Sequence, residues 1–144
     1  MKRFSLGTLA GLCLAGAALA EGPVVTPYAG SFGDATFALE NEILDRGLVI
    51  DHTSHVGDML ARTRADVGSS ETIFEAADVY MFCSAVLSRE VMEADPMNIA
   101  YCPYGIFVAD RGGDVFIGHR NYPEGEMQQV QTLLTEIIQD AVGE

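Results

Sequence analysis

Residues 104 to 120 read YGIFVADRGGDVFIGHR, with two adjoining glycines at the centre. Gly112 and Gly113, following Arg111, supply the backbone angles of a tight turn. The runs on either side, Tyr104 to Asp110 and Asp114 to Arg120, are rich in β-branched and aromatic residues. They are expected as the two strands of one hairpin. A hairpin makes antiparallel neighbours, so this stretch rules out an all-parallel sheet and any all-helical fold.

The remaining periodicities fill in the architecture. Asp78 to Val86 reads as a strand in which Val79, Met81, Cys83 and Ala85 alternate with Tyr80, Phe82, Ser84 and Val86. Leu48 to Ser54 reads as another, with Leu48, Ile50 and His52 on one face and Val49, Asp51 and Thr53 on the other. Val24 to Ala29 fits an edge strand, because Pro27 cannot donate to a ladder. A helix over Gly33 to Arg46 opens on Ser31 and Asp34, spaced like a capping box, and stops at Gly47. Phe37, Ile43 and Leu44 are its expected apolar side. Val56, Met59, Leu60, Thr63 and Val67 follow helical spacing up to Gly68. Ser88 is expected to cap the short helix SREVMEAD, which Pro96 stops. The last helix, Glu124 to Val142, carries an apolar stripe of Met127, Val130, Leu134, Ile137, Ile138 and Ala141. The order β-α-β-α-β-α-β-β-α predicts an α+β sandwich: a mostly antiparallel sheet of four to five strands with helices packed on one face.

Residues 1 to 20 read as a leader, not as part of the fold. Lys2 and Arg3 precede an apolar run from Leu6 to Ala18, which ends in Ala18-Leu19-Ala20, the small-x-small pattern of signal-peptide cleavage. The run is short for a membrane span. Leu12 before Cys13 departs from a lipobox. Cleavage after Ala20 is expected, giving a periplasmic protein of residues 21 to 144 as a single α+β domain, with no membrane attachment afterwards. Six arginines then face 21 acidic residues, and the formal net charge moves from -13 to -15. Such a surface repels nucleic-acid phosphates and anionic headgroups, which excludes nucleic acid as a partner. It suits a soluble periplasmic protein or a saline habitat first, and steering of basic partners such as small cytochromes is the second reading.

Export changes how cysteine is read. Cys83 and Cys102 are the two that remain, and an even count in an oxidising compartment points to a disulfide. Their spacing is no CxxC, so a thioredoxin-type motif is absent. If a helix returns the chain between them, adjacent strands bring the two within bonding reach. A structural disulfide, two buried thiols and a reactive thiolate are the three readings that follow.

A second constellation lies in IDHTSHVGDML, residues 50 to 60. His52, His55 and Met59 are soft or borderline ligands, suited to copper or to an axial pair on haem iron. On one straight strand, His52 and His55 would point to opposite faces. A bend near Ser54 would instead place His55 at a helix N-terminus, with Met59 one turn on and His52 at the strand end. The helix dipole would then favour a neutral His55. The opposing reading is a half-buried strand histidine, a helix-entry histidine and a core methionine. Glu90, Glu93 and Asp95 read as a solvated helix face, and the histidines form no recognisable triad with a serine.

The runs GLVIDHTSHVGDMLARTRADVG and VYMFCSAVLSREVMEADPMNIAYCPY together resemble the secreted branch of the bacterial family called domain of unknown function 302. The segment around Cys83, the Glu93-Ala94-Asp95-Pro96 turn and the Cys102-Pro103 pair carry the resemblance. It implies a compact α+β domain able to form homodimers, and it implies no activity. The functional expectation is a non-catalytic binding or accessory module for a metal, haem or small sulfur-containing ligand, held between the sheet and the His52 to Met59 segment. The alternative is a thiol-disulfide redox protein using Cys83 and Cys102.

Overall fold

The computed structural model describes residues 22–143, so the expected leader and its cleavage site lie outside the described residues. The chain runs β1 (Val24–Pro27), α1 (Phe32–Asp45), β2 (Val49–Ser54), α2 (Val56–Thr63), β3 (Ala76–Cys83), α3 (Ala85–Ala94), a short 3-10 helix (Pro96–Tyr101), β4 (Tyr104–Arg111), β5 (Asp114–His119) and α4 (Gln128–Val142). The five strands form one sheet in the order β1-β5-β4-β3-β2. Every neighbouring pair is antiparallel. The α+β class, strand number and element order are those read from the sequence. Among the described residues, no helix is long and apolar enough to cross a membrane.

The hairpin forms as expected, with Gly112 and Gly113 at φ of 65° and 94°. One face of the sheet carries the core. Tyr80 and Phe82 of β3, Tyr104, Ile106 and Val108 of β4, and Val115 and Ile117 of β5 point into it. Helices α1 and α4 close that side with Ala35, Leu39 and Ile43 from one, and Val130, Leu134, Ile137 and Ile138 from the other. Arg46, the C-cap of α1, ties the two helices by ion pairs to Glu136 and Asp140 of α4. The other face, bearing Val79, Met81, Phe107 and Phe116, is only partly shielded.

Several boundaries differ from the sequence expectation, each for a local reason. Helix α1 does open on a Ser31–Asp34 capping box. Its buried side, however, is Ala35, Leu39 and Ile43, while Phe37 and Leu44 face solvent. Ala35, Leu39 and Ile43 recur every four residues and share one helix face, which leaves Phe37 and Leu44 off it. Strand β3 ends at Cys83 because the Ser84 hydroxyl accepts the Leu87 N–H and starts α3 there. Ser88 is thus inside the helix, not its cap. Helix α2 ends at Thr63, before the apolar spacing does.

The sharpest departure is in β2. Ile50 pairs with Phe82 while His52 pairs with Met81, so β2 carries one residue more than its partner between them. This bulge reverses the alternation. Ile50 points to the core side with Phe82, whereas His52 lies across from Met81 on the other face. The expectation that Ile50 and His52 share a face is therefore corrected.

Candidate thiol site

The connections converge at one end of the sheet. Cys83 is the last residue of β3, and Cys102 lies two residues before β4, which pairs with β3 through Phe82 and Tyr104. Helix α3 and the 3-10 helix return the chain between them. The two sulfurs are unbonded and 2.8 Å apart. Both cysteines are half-buried. Adjacent strands thus do what the sequence required of them: residues 19 apart in the chain meet side chain to side chain.

The surroundings are aromatic and hydroxylic. Ser88, one turn into α3, brings its Oγ within 4.0 Å of Cys102 Sγ and 3.0 Å of Tyr104 Oη. The Tyr122 ring packs on Tyr101 and Tyr104 at centroid separations of 6.0 and 6.3 Å. Its hydroxyl is buried without a hydrogen-bond partner. An open cleft of about 390 Å³ runs along α3, lined by Ala85, Ser88, Arg89, Met92 and Glu93. Ser88 joins this cleft to the sulfurs.

Burial pushes the Cys83 thiol up to about 12, helped by its hydrogen bond to Cys102, by the Cys102 charge and by Asp51. The Tyr104 backbone N–H offsets this only in part. Cys83 is therefore a thiol at neutral pH, and a free thiolate nucleophile at that position is disfavoured. Tyr104 and Tyr122 are also raised, the latter to about 12, with burial the first cause in each.

The second constellation does not assemble. The chain does bend after Ser54, and His55 is the N-cap residue of α2, as the spacing required. His52 sits on the Met81 face of the sheet. His55 instead binds Asp78 through Nδ1 at 2.8 Å, and Asp78 shares the face of Val108, on the core side. His52 and His55 thus turn to opposite sides, with His55 held by Asp78. Asp78 also overturns the expected neutral His55: its hydrogen bond, then its charge, hold the imidazole above its ordinary pKa. Met59 takes a contact from the Thr63 hydroxyl at 3.9 Å and is exposed. Among the described residues, no group of three or more His, Cys, Asp and Glu side chains is placed to hold a metal ion.

With this geometry in hand, comparison is informative. In three dimensions the chain resembles the crystal structure of an uncharacterised conserved protein of domain of unknown function 302 from Bacillus stearothermophilus. The TM-score is 0.59 at 14% identity, over 85% of this chain and 88% of that one. The fold is that of a domain of unknown function 302 protein. No family model matches the chain, and no curated protein matches it.

Within this domain of unknown function 302 fold, sequence reasoning missed four residues beside the sulfurs or behind them. Ser88 was assigned to capping. Tyr104 and Tyr122 carried no motif. His119 is fully buried, with one ring nitrogen 2.7 Å from the Arg120 carbonyl and the other 3.0 Å from Thr135 Oγ1. The only signal for it was its place on an apolar strand face, in line with Val115 and Ile117.

Proposed function

We propose that this chain is an exported member of the domain of unknown function 302 family whose working group is a thiol–disulfide couple, Cys83 with Cys102. The observation that carries this reading is the 2.8 Å contact between two half-buried sulfurs at the end of the sheet. Two thiols so placed need almost no backbone movement to join. Oxidation removes two electrons and two protons and closes one S–S bond; a partner dithiol reverses it. The likeness in fold and the motif around Cys83 and Cys102 support the family, and residues 1 to 20 support export. The copper or haem reading is not carried forward, because His52 and His55 point to opposite faces of the sheet.

The chemistry also sets the direction of the potential. Strongly oxidising couples owe their potential to a stabilised thiolate in the reduced form. Burial does the opposite at Cys83. The couple is therefore expected toward the reducing end of the range of thiol–disulfide couples. Equilibration in glutathione buffers followed by alkylation and mass measurement tests this. The reduced protein should take up two alkyl groups and the oxidised protein none. Cysteines that stay alkylatable in fully oxidised glutathione would sink the reading.

A further inference from the structure

The two sulfurs of the pair have unequal surroundings. Cys83 is the last residue of β3, which lies between β2 and β4 in the sheet. Burial and the Asp51 carboxylate both oppose a negative charge on its sulfur. Among the described residues, its only side-chain partner is Cys102. Cys102 lies outside the ladder, at the C-cap of the 3-10 helix, and has a second neighbour. Ser88 Oγ stands 4.0 Å from Cys102 Sγ, the outer reach of a hydrogen bond to sulfur. Behind Ser88 is Tyr104, whose buried Oη is 3.0 Å from the same Oγ. Each hydroxyl carries one proton, so the two can be ordered toward the sulfur. Tyr104 O–H then donates to Ser88 Oγ, and Ser88 O–H donates to Cys102. A neutral thiol gains little from this chain. A thiolate gains more, because bonds to a charged acceptor are shorter and roughly twice as strong.

Resting on the redox reading above, we propose that Cys102 is the attacking sulfur, that Cys83 resolves, and that Ser88, ordered by Tyr104, stabilises the attacking thiolate. The oxidant is a disulfide. Cys102 gives its proton to solvent, and its thiolate attacks one sulfur of that disulfide. A bond forms between Cys102 and the partner, the partner's own S–S bond breaks, and its far sulfur leaves as a thiolate that takes a proton. Cys83 then loses its proton and attacks the Cys102 sulfur. The Cys83–Cys102 bond closes, and the second partner sulfur leaves and is protonated. Two electrons and two protons pass from the pair to the partner. Ser88 touches a reacting atom, whereas Tyr104 is a positioning residue that acts through it.

The test treats the reduced protein with limiting iodoacetamide and reads each cysteine peptide separately by mass. Cys102 should react first. Ser88→Ala should slow Cys102 on the order of tenfold, as loss of one hydrogen bond to a charged acceptor does, and leave Cys83 unchanged. Ser88→Thr keeps the hydroxyl and should restore the rate. Tyr104→Phe keeps the ring and should slow Cys102 by less than Ser88→Ala does. Loosened packing would expose both thiols and speed both reactions, so slowing at one sulfur separates a lost donor from a folding defect. In oxidised glutathione, Cys83→Ser should hold a glutathione adduct on Cys102. Cys83 reacting first would overturn the proposal, as would a Cys102 rate that Ser88→Ala does not lower or that Ser88→Thr does not restore. An unmodified pair that stays reduced in oxidised glutathione would instead remove the redox reading, and this proposal with it.

Discussion

A carboxylate, Asp78, and burial decide the behaviour of two histidines that look alike in the sequence. At the exposed His55, the Asp78 carboxylate favours the charged ring and raises its pKa. At the buried His119, loss of water dominates, and the pKa is lowered despite the bond to the Arg120 carbonyl. The two act oppositely on stability. A His with a lowered folded pKa binds its proton more weakly in the folded state, so its stabilisation is full above its unfolded value of about 6.5. That stabilisation is lost as the pH falls through the folded pKa, below 6.5. The urea midpoint should therefore drop between pH 7 and 5, and His119→Gln should flatten the drop. A midpoint that is level over this range in the unmodified protein would contradict the assignment. His55 contributes in the reverse sense, present below about 6.5 and lost as pH rises through its raised pKa. Both residues could be picked out in the sequence, but their opposite environments could not, because each depends on a partner far along the chain or on burial.

Among the elements, the junction of β2 with α2 has the most consequence. β2 ends where Ser54 meets Val79, so the first residues of β3 have no strand on that edge. Helix α2 fills the place, and Gly57 lies against the β3 backbone. A Cβ there would stand 2.6 Å from the Ala77 nitrogen. Replacing glycine by alanine inside a helix ordinarily stabilises by about 0.5–1 kcal/mol. Here contact with unyielding backbone reverses the sign, and Gly57→Ala should destabilise by about 1–3 kcal/mol in denaturant titration. An unchanged or raised midpoint would show that α2 can move away freely. The helix itself was legible from its apolar spacing. The bulge beside it was not, since β2 offers no glycine or proline to mark one, and the one-residue slip only appears when Ile50 and His52 are matched to Phe82 and Met81.

The whole molecule carries its acidic charge with few compensating pairs. Against 21 acidic residues, the ion pairs among the described residues use only Arg46, His55 and Arg89. Self-repulsion then outweighs attraction, and salt screens both. The melting temperature should rise as sodium chloride is raised from about 10 to 200 mM, roughly spanning Debye lengths of 30 to under 10 Å. A fall would mean that the Arg46 pairs between α1 and α4 outweigh the repulsion. Closing the Cys83–Cys102 bond acts on the same scale. It cross-links a loop of about 20 residues, worth roughly 3 kcal/mol through the unfolded chain. Oxidised protein should therefore exceed reduced protein in stability by about that amount, measured with and without a dithiol reductant.

Periodicity, turn residues and composition were enough to establish the α+β class, the element order, the hairpin at Gly112-Gly113, the capping box at Ser31 and the acidic character. These are properties of short stretches, where each residue interacts with its near neighbours. The cysteine pair was foreseen only as a condition, and the strand pairing of Phe82 with Tyr104 met it. The fate of His52, His55 and Met59 was decided entirely by tertiary structure. His52 lies on the Met81 face of the sheet, and a carboxylate 23 residues away holds His55 on the other side. Pairing register and long-range partners are set by packing the whole sheet against α1 and α4, and no local pattern encodes them.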